Sequence, residues 1–272
     1  MKKNKSVLLS VPYILWMLAF TLIPLGVVAY YALTDPATGE FSLVNLRELN
    51  MYWGVIGQSV LYSLIAALIC LVLGYPVAYY IAHCKPLTQK LLYMLVMLPM
   101  CMSFLLRTLA WVGLLQDTGI INNFLDWAFG IRLPLIRTPA AVVLGMVYNY
   151  LPYMILPLYA TIVKLDDRLI EAAEDLGCKP VQTFAKVILP LSMPGILSGI
   201  TMVFVPAVST FYISQKLGNT DTVLIGDLIE RLFKQADNPN LGAALSLVLM
   251  ALVFVCTGIM NRFGGDEEGV VV

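Results

Sequence analysis

Long apolar runs separated by short polar joints dominate the chain. The 27 residues from Val7 to Leu33 carry no charge, and further apolar stretches follow at 58–83, 90–115, 138–163, 188–215 and 241–261. Each reaches the roughly 20 helical residues needed to cross a hydrocarbon core of about 30 Å. The pattern predicts an all-α polytopic membrane protein with six transmembrane helices, at about 7–33, 58–83, 90–115, 138–163, 188–215 and 241–261, in a single domain over residues 1–272. The first run is longer than the roughly 7–15 residue apolar core of a signal peptide and lacks a small-residue cleavage site, so it reads as a retained span. Residues 264–272 show no periodicity and are expected to be a flexible tail.

One stretch breaks the pattern. Between Lys164 and Pro190 lie five acids (Asp166, Asp167, Glu171, Glu174, Asp175) and four bases (Lys164, Arg168, Lys179, Lys186). Such a segment does not lie in lipid. It reads as two short helices joined by a corner. Asp166 and Asp167 suit the N-terminal end of the first helix, whose positive dipole and free N–H groups favour a carboxylate. Gly177 tolerates the left-handed conformation that ends a helix, and Pro180 suits the first turn of the next. Leu169, Ala172, Ala173 and Leu176 on the first helix, and Val181, Phe184, Ala185 and Ile188 on the second, recur at helical spacing, so each helix has one apolar face.

Composition narrows the function. With 60% hydrophobic and 12% charged residues, and a mean hydropathy of +0.83, an ordinary soluble domain is excluded. The formal net charge of zero suggests no nucleic-acid partner. The five cysteines show no C-x-x-C spacing and His83 is the single histidine, so no protein-built metal site is expected. No G-x-x-x-x-G-K-[ST] stretch occurs, so any nucleotide hydrolysis must come from another chain, and no nucleophile–base set suggests an enzyme.

Charge distribution suggests an orientation. With a cytoplasmic N-terminus, ten bases fall on inner segments and six on outer loops. The positive-inside rule favours this choice, which puts both termini and the 164–190 segment in the cytoplasm. The outer loops carry nine acids to six bases, a mild attraction for a cationic solute or a basic partner. Three outer segments, Leu43–Tyr52, Asn122–Phe129 and Thr222–Gln235, have helical spacing of apolar residues, suited either to the membrane surface or to a platform for a binding protein.

Polar residues within the apolar stretches are few. Arg107 lies about 26 Å along its stretch at 1.5 Å per residue, near the outer interface, where it either snorkels to water or belongs to a pathway wall. Asn149, among Tyr148, Tyr150 and Tyr153, either bonds a neighbouring helix or lines the pathway. Ser209, Thr210, Phe211, Tyr212 and Ser214 form a polar-aromatic cluster suited to an interface belt or a gate. Prolines within the stretches, among them Pro12, Pro24, Pro76, Pro99, Pro152, Pro157, Pro194 and Pro206, predict kinked helices.

The order Glu171-Ala172-Ala173, three residues, Gly177, nine residues, Val187, one residue, Leu189-Pro190 resembles the EAA loop of ABC-importer permeases. Val187 stands where that pattern usually has Ile, one methylene larger. Cys70–Ala82, Leu106-Arg107-Thr108, Leu151-Pro152-Tyr153-Met154, Leu169–Ile196 and Leu224-Ile225-Gly226 extend the resemblance to the spermidine/putrescine importer permeases, the first of their two paired permease subunits. The resemblance implies the type I ABC-importer permease (MetI-like) fold in a bacterial inner membrane. It also implies a heterodimer with a second permease, two cytoplasmic ATPase subunits that bind ATP and Mg, and an extracytoplasmic polyamine-binding protein. Under it Glu171, Ala172, Ala173, Asp175, Gly177, Phe184, Leu189 and Pro190 are the ATPase-coupling residues. A polyamine pathway would use aromatic faces and polar groups, for which Arg107, Tyr148, Asn149, Tyr153, Phe211, Tyr212 and Asp221 are the candidates.

Permeases for thiamine, iron and phosphonates share much of the same pattern and stand as alternatives for the cargo. An ion-coupled secondary transporter is the competing class, and it would call for a buried Asp, Glu or His in a span.

Overall fold

The computed structural model describes residues 11–35, 39–235 and 238–264. They form an all-α structure in which an isolated bridge between Thr34 and Phe41 is the one extended pairing. Five helical runs are long and apolar enough to cross a membrane: Val11–Ala32, Val44–Ala82, Phe104–Phe129, Pro139–Ile162 and Pro239–Met260. A sixth arises if Pro180–Leu191 and Met193–Val208, bent by 65° at Ser192, count as one span. The tail expected to be flexible lies, past Gly264, outside the described residues.

The helices are numbered in chain order: α1 (Val11–Ala32); α2 (Val44–Glu48), running into a 3-10 turn at Leu49–Tyr52; α3 (Trp53–Ala82); α4 (Pro86–Met97); α5 (Phe104–Leu115); α6 (Ile120–Phe129); α7 (Pro139–Ile162); and α8 (Asp167–Asp175). They continue with α9 (Pro180–Leu191), α10 (Met193–Val208), α11 (Tyr212–Leu217), α12 (Ile225–Lys234) and α13 (Pro239–Gly264). The three segments expected to be helical and to lie on the outer side correspond to α2 with its 3-10 turn, α6 and α12, of which α2 and α6 fall within runs long and apolar enough to cross a membrane.

Two compact units emerge, Met1–Gly54 with Leu228–Leu252 and Val55–Asp227 with Val253–Val272. In the first, α1 leaves its large apolar side chains exposed, among them Tyr13, Leu15, Phe20 and Ile23. A surface like this is untenable in water and suited to lipid. The loop after α1 is fastened by two buried asparagines: Asn45 donates to the Ala32 and Thr34 carbonyls at 3.2 and 2.9 Å, and Asn240 donates to Thr34 at 2.6 Å.

The second unit is built around α7. Its Val142, Met146, Met154, Ile155 and Leu158 are buried against Cys70 and Ala78 of α3, Val203 of α10 and Ile213 of α11. The α7–α10 pair packs most closely, because Gly195 and Gly199 place a bare backbone against α7. A Cβ on Gly195 would stand 2.6 Å from Thr161 Oγ1 and 3.0 Å from the Pro157 carbonyl. Small residues four apart allow this approach, which side chains on α10 would prevent.

The apolar stretches 90–115 and 188–215 are not continuous helices. The first breaks at Met102–Ser103, after a 3-10 turn at Leu98–Cys101 that contains Pro99, and the second breaks at Ser209–Thr210 after Pro206. Two π turns, Leu18–Leu22 and Phe184–Ile188, each end two residues before a proline, Pro24 and Pro190. A proline ring clashes with the carbonyl four residues back in an α-helix, and the wider turn relieves that clash.

Candidate functional site

Two features of the second unit place the chemistry-bearing residues: the charged elbow formed by α8 and α9, and a cavity between α5, α7 and the α10–α11 break.

The elbow is locally specified. Asp166 caps α8 by accepting the Arg168 N–H at 3.0 Å. At the other end Cys178 N–H bonds the Ala173 carbonyl at 3.1 Å and Gly177 N–H bonds that of Glu174 at 2.8 Å, the paired closure of a Schellman turn, with Gly177 at φ +84°. The second arm opens with Lys179 N–H donating to the Gln182 side chain at 3.0 Å, and Pro180 occupies its first turn. Not all of the apolar faces turn inward. Ala173 and Ile188 are buried, whereas Leu176 and Val181, on either side of the corner, are 86% and 77% exposed. Glu171, Glu174, Asp175, Lys179 and Lys186 are exposed, and no ion pair ties them to other described residues. The elbow thus presents a charged rim around an apolar tip.

A further contact joins the elbow to the bundle. The ring of Tyr75, on α3, meets Phe184 edge-on at 5.4 Å, and its hydroxyl bonds Ser192 Oγ at 2.8 Å. Ser192 in turn donates to the Leu189 carbonyl at 3.0 Å. Ser192 is the residue at the 65° bend, so the bend is held by a side chain from another helix. Among the residues proposed from sequence, Phe184, Leu189 and Pro190 lie on this arm; Tyr75 and Ser192 were not among them.

The cavity has a volume of about 320 Å³ and is lined by Phe104, Arg107, Asn149, Tyr150, Tyr153, Ser209, Thr210, Phe211 and Tyr212. Its walls are ring-rich. Phe104 and Tyr150 stack with centroids 6.4 Å apart, Phe104 lies 6.4 Å from Tyr212, and Tyr150 meets Tyr153 edge-on at 6.3 Å. The Tyr212 ring already carries a cation, Lys216 Nζ, 5.7 Å from its centroid. Asn149 is fully buried; its amide nitrogen donates to the Gly145 carbonyl at 2.9 Å and approaches Thr108 Oγ1 at 3.5 Å, which leaves Oδ1 without a partner.

Arg107 does not snorkel. It is 6% exposed, and its Nε and Nη1 are buried without a hydrogen-bond partner. A depth counted along a straight helix from Lys90 does not apply to it, because the chain breaks at Met102–Ser103 and Arg107 stands in the first turn of a new helix.

Five of the seven residues proposed for a pathway therefore meet in one cavity: Arg107, Asn149, Tyr153, Phe211 and Tyr212. Two do not. Tyr148 is 39% exposed on another face of α7, with its ring edge-on to Trp111 at 5.4 Å. Asp221 lies exposed in the 3-10 turn Thr220–Thr222, where its backbone carbonyl accepts from Gln58 at 3.1 Å. Phe104 had no signal in the apolar pattern, which masks the helix start at Ser103.

Comparison with known proteins places these features in a family. Residues 71–264 match the model of the binding-protein-dependent transport system inner membrane component. Two similar relatives are both named spermidine/putrescine transport system permease protein PotB. The protein of Escherichia coli K12 is 39% identical over 243 residues, covering 86% of this chain and 88% of the relative. The Haemophilus influenzae protein is 39% identical over 263 residues, covering 91% and 92%. A crystal structure of a bacterial ABC transporter for import of the acidic polysaccharide alginate superposes with a TM-score of 0.80 at 18% identity, covering 98% of both chains. An inward-facing structure of the MetNI methionine ABC transporter gives 0.58 at 17% identity, covering 79% of this chain and 96% of that one. These structures show the fold, that of a type I ABC-importer permease.

Proposed function

The chain belongs to the family of binding-protein-dependent transport system inner membrane components, and on that premise we propose that it is the permease subunit of an ABC importer that brings spermidine or putrescine into the cell. The observation that carries this reading is 39% identity, sustained over 86–91% of the chain, to permeases named for those two polyamines.

In this reading a second permease completes the membrane channel, two cytoplasmic ATPase subunits bind ATP and Mg, and an extracytoplasmic binding protein delivers the polyamine. The elbow is the plug for an ATPase. Its exposed Leu176 and Val181 would enter an apolar groove, and the free charges of Glu171, Asp175 and Lys179 would meet complementary groups at the rim. Closure of the ATPase pair moves α8 and α9 as a lever. Through Tyr75 and Ser192 that movement reaches α3 and α10, and the cavity changes the side to which it opens. The ring faces and Asn149 Oδ1 then offer an ammonium group replacements for part of its hydration. The concentration of bases on the 164–190 side of the chain supports a cytoplasmic elbow with both termini on the same side.

Uptake of labelled spermidine by cells expressing the complete system tests the reading. It is expected to require ATP, to be blocked by vanadate and to be lost when this chain is deleted. Uptake that instead follows a proton or sodium gradient and ignores vanadate would overturn it.

A further inference from the structure

A cation pathway whose wall holds an arginine and no carboxylate poses an electrostatic problem. The residues lining the cavity include Arg107 and no Asp or Glu. Arg107 is 6% exposed, and two of its three guanidinium nitrogens, Nε and Nη1, are buried with no hydrogen-bond partner among the described residues. A buried charge without a counter-ion is strongly unfavourable. The position aggravates this, because Arg107 stands in the first turn of α5, where the helix dipole already favours negative charge. Both features ask for an anion. A polyamine carries only donors and positive charge, so it can satisfy Asn149 Oδ1 but not Arg107.

We propose that the missing counter-ion is a carboxylate of the second permease subunit, which enters this cavity and pairs with Arg107 when the two permeases assemble. The inference rests on the importer reading above and deepens it. With the guanidinium neutralised from the partner side, the repulsion of an ammonium group is removed. Asn149 Oδ1 and the faces of Phe104, Tyr150, Tyr153 and Tyr212 are left to the cargo. The pair also makes assembly of the two chains a condition for a usable pathway, since either chain alone would hold an uncompensated charge.

The test uses the assembled transporter and reads two quantities: recovery of the second permease on purification through a tag on this chain, and uptake of labelled spermidine. Arg107→Asp is expected to lower both by about tenfold or more, and Arg107→Gln to lower both by less. Each acidic residue in the spans of the second permease is then changed to Lys. One such change is expected to restore Arg107→Asp to within about threefold of the parent while impairing the transporter that keeps Arg107, the reciprocity of a direct pair.

Parent-level recovery and uptake with Arg107→Gln, or the absence of any rescuing position, refutes the proposal. Loss of uptake with full recovery of the second permease also refutes it, and assigns Arg107 to a step of transport that follows assembly. Should Arg107→Asp be cleared from the membrane, Ser209→Cys at the cavity wall replaces it, linked by a short bis-maleimide to cysteines placed at the partner's acidic positions. A cross-link at one position is expected, and none at any refutes the pairing. Failure of the importer reading is separate, since it shows as absent spermidine uptake in the parent itself.

Discussion

Tyr75 contributes two separable contacts to the pivot at Ser192, a ring edge against Phe184 and a hydroxyl on Ser192 Oγ. Tyr75→Phe removes only the second, a loss of about 1 kcal/mol for a buried hydrogen bond. Tyr75→Ala removes both and costs about 3 kcal/mol. The expected result is a small and a large fall, respectively, in the melting temperature of the purified complex, with spermidine transported per ATP hydrolysed falling in the same order. Gly177 isolates a different cause. Nothing lies within 4 Å of a Cβ built there, so a substitution meets no neighbour, but φ is +84°. Gly177→Val therefore acts through the backbone, by about 1–2 kcal/mol or more for a β-branched residue in the left-handed region. Membrane insertion and ATP hydrolysis should persist while uptake falls; unchanged uptake by this variant would count against the lever.

At the scale of elements, the break between α10 and α11 shapes the cavity, and the backbone at Gly226 lies against that break. Gly226, near the start of α12, lies so close that a Cβ would stand 2.5 Å from the Ser209 carbonyl oxygen and 2.7 Å from that of Thr210. Those atoms are backbone and cannot swing aside as a side chain does. Gly226→Ala is expected to destabilise by about 1–3 kcal/mol, as overpacking does, and to lower spermidine uptake. Gly113→Ala in α5, where nothing lies within 4 Å, provides the contrast and should leave the melting temperature unchanged or slightly raised. The π turns before Pro24 and Pro190 show the same economy of means in two helices. Each proline is placed without ending its helix, because the preceding turn widens. At Pro190 that widened turn lies between the elbow's tip and its pivot.

For the whole molecule the decisive quantity is orientation, since the proposed lever would work only with the elbow facing an ATPase. Leu176 is 86% exposed at the corner and makes a suitable reporter. In a Cys178→Ser background, Leu176→Cys is expected to react with a membrane-impermeant maleimide in inside-out vesicles and not in intact cells. The assembled ATPase should protect it. Labelling from the outside would remove the coupling role altogether. The exposed apolar surface of α1 belongs to this scale too, because its large side chains find burial only in lipid or against another chain.

How far each feature could be read from the residues depended on how local its cause is. The charged interruption at 164–190 and its corner at Gly177 and Pro180 follow from side-chain capping and from allowed φ within a few residues, and both stand in the structure as a capped helix and a Schellman turn. The apolar runs likewise declare an all-α membrane protein, since the hydrophobic effect acts on each run as a whole. The breaks at Met102–Ser103 and Ser209–Thr210 were marked only by nearby prolines, and hydropathy passes smoothly over both. The cavity was legible in residue types but not in membership. Tyr148, Asn149 and Tyr150 are consecutive on α7, yet Asn149 and Tyr150 line the cavity and Tyr148 does not. Successive helical residues turn by about 100°, so packing against α5 and α10 selects the inward ones. Sequence by itself determined the family, the apolar runs and the elbow, though not where those runs break as helices, because their energies are settled along the chain. Tertiary structure alone decided that Arg107 is buried without a counter-ion among the described residues, because that depends on what distant helices bring, or fail to bring, to its side.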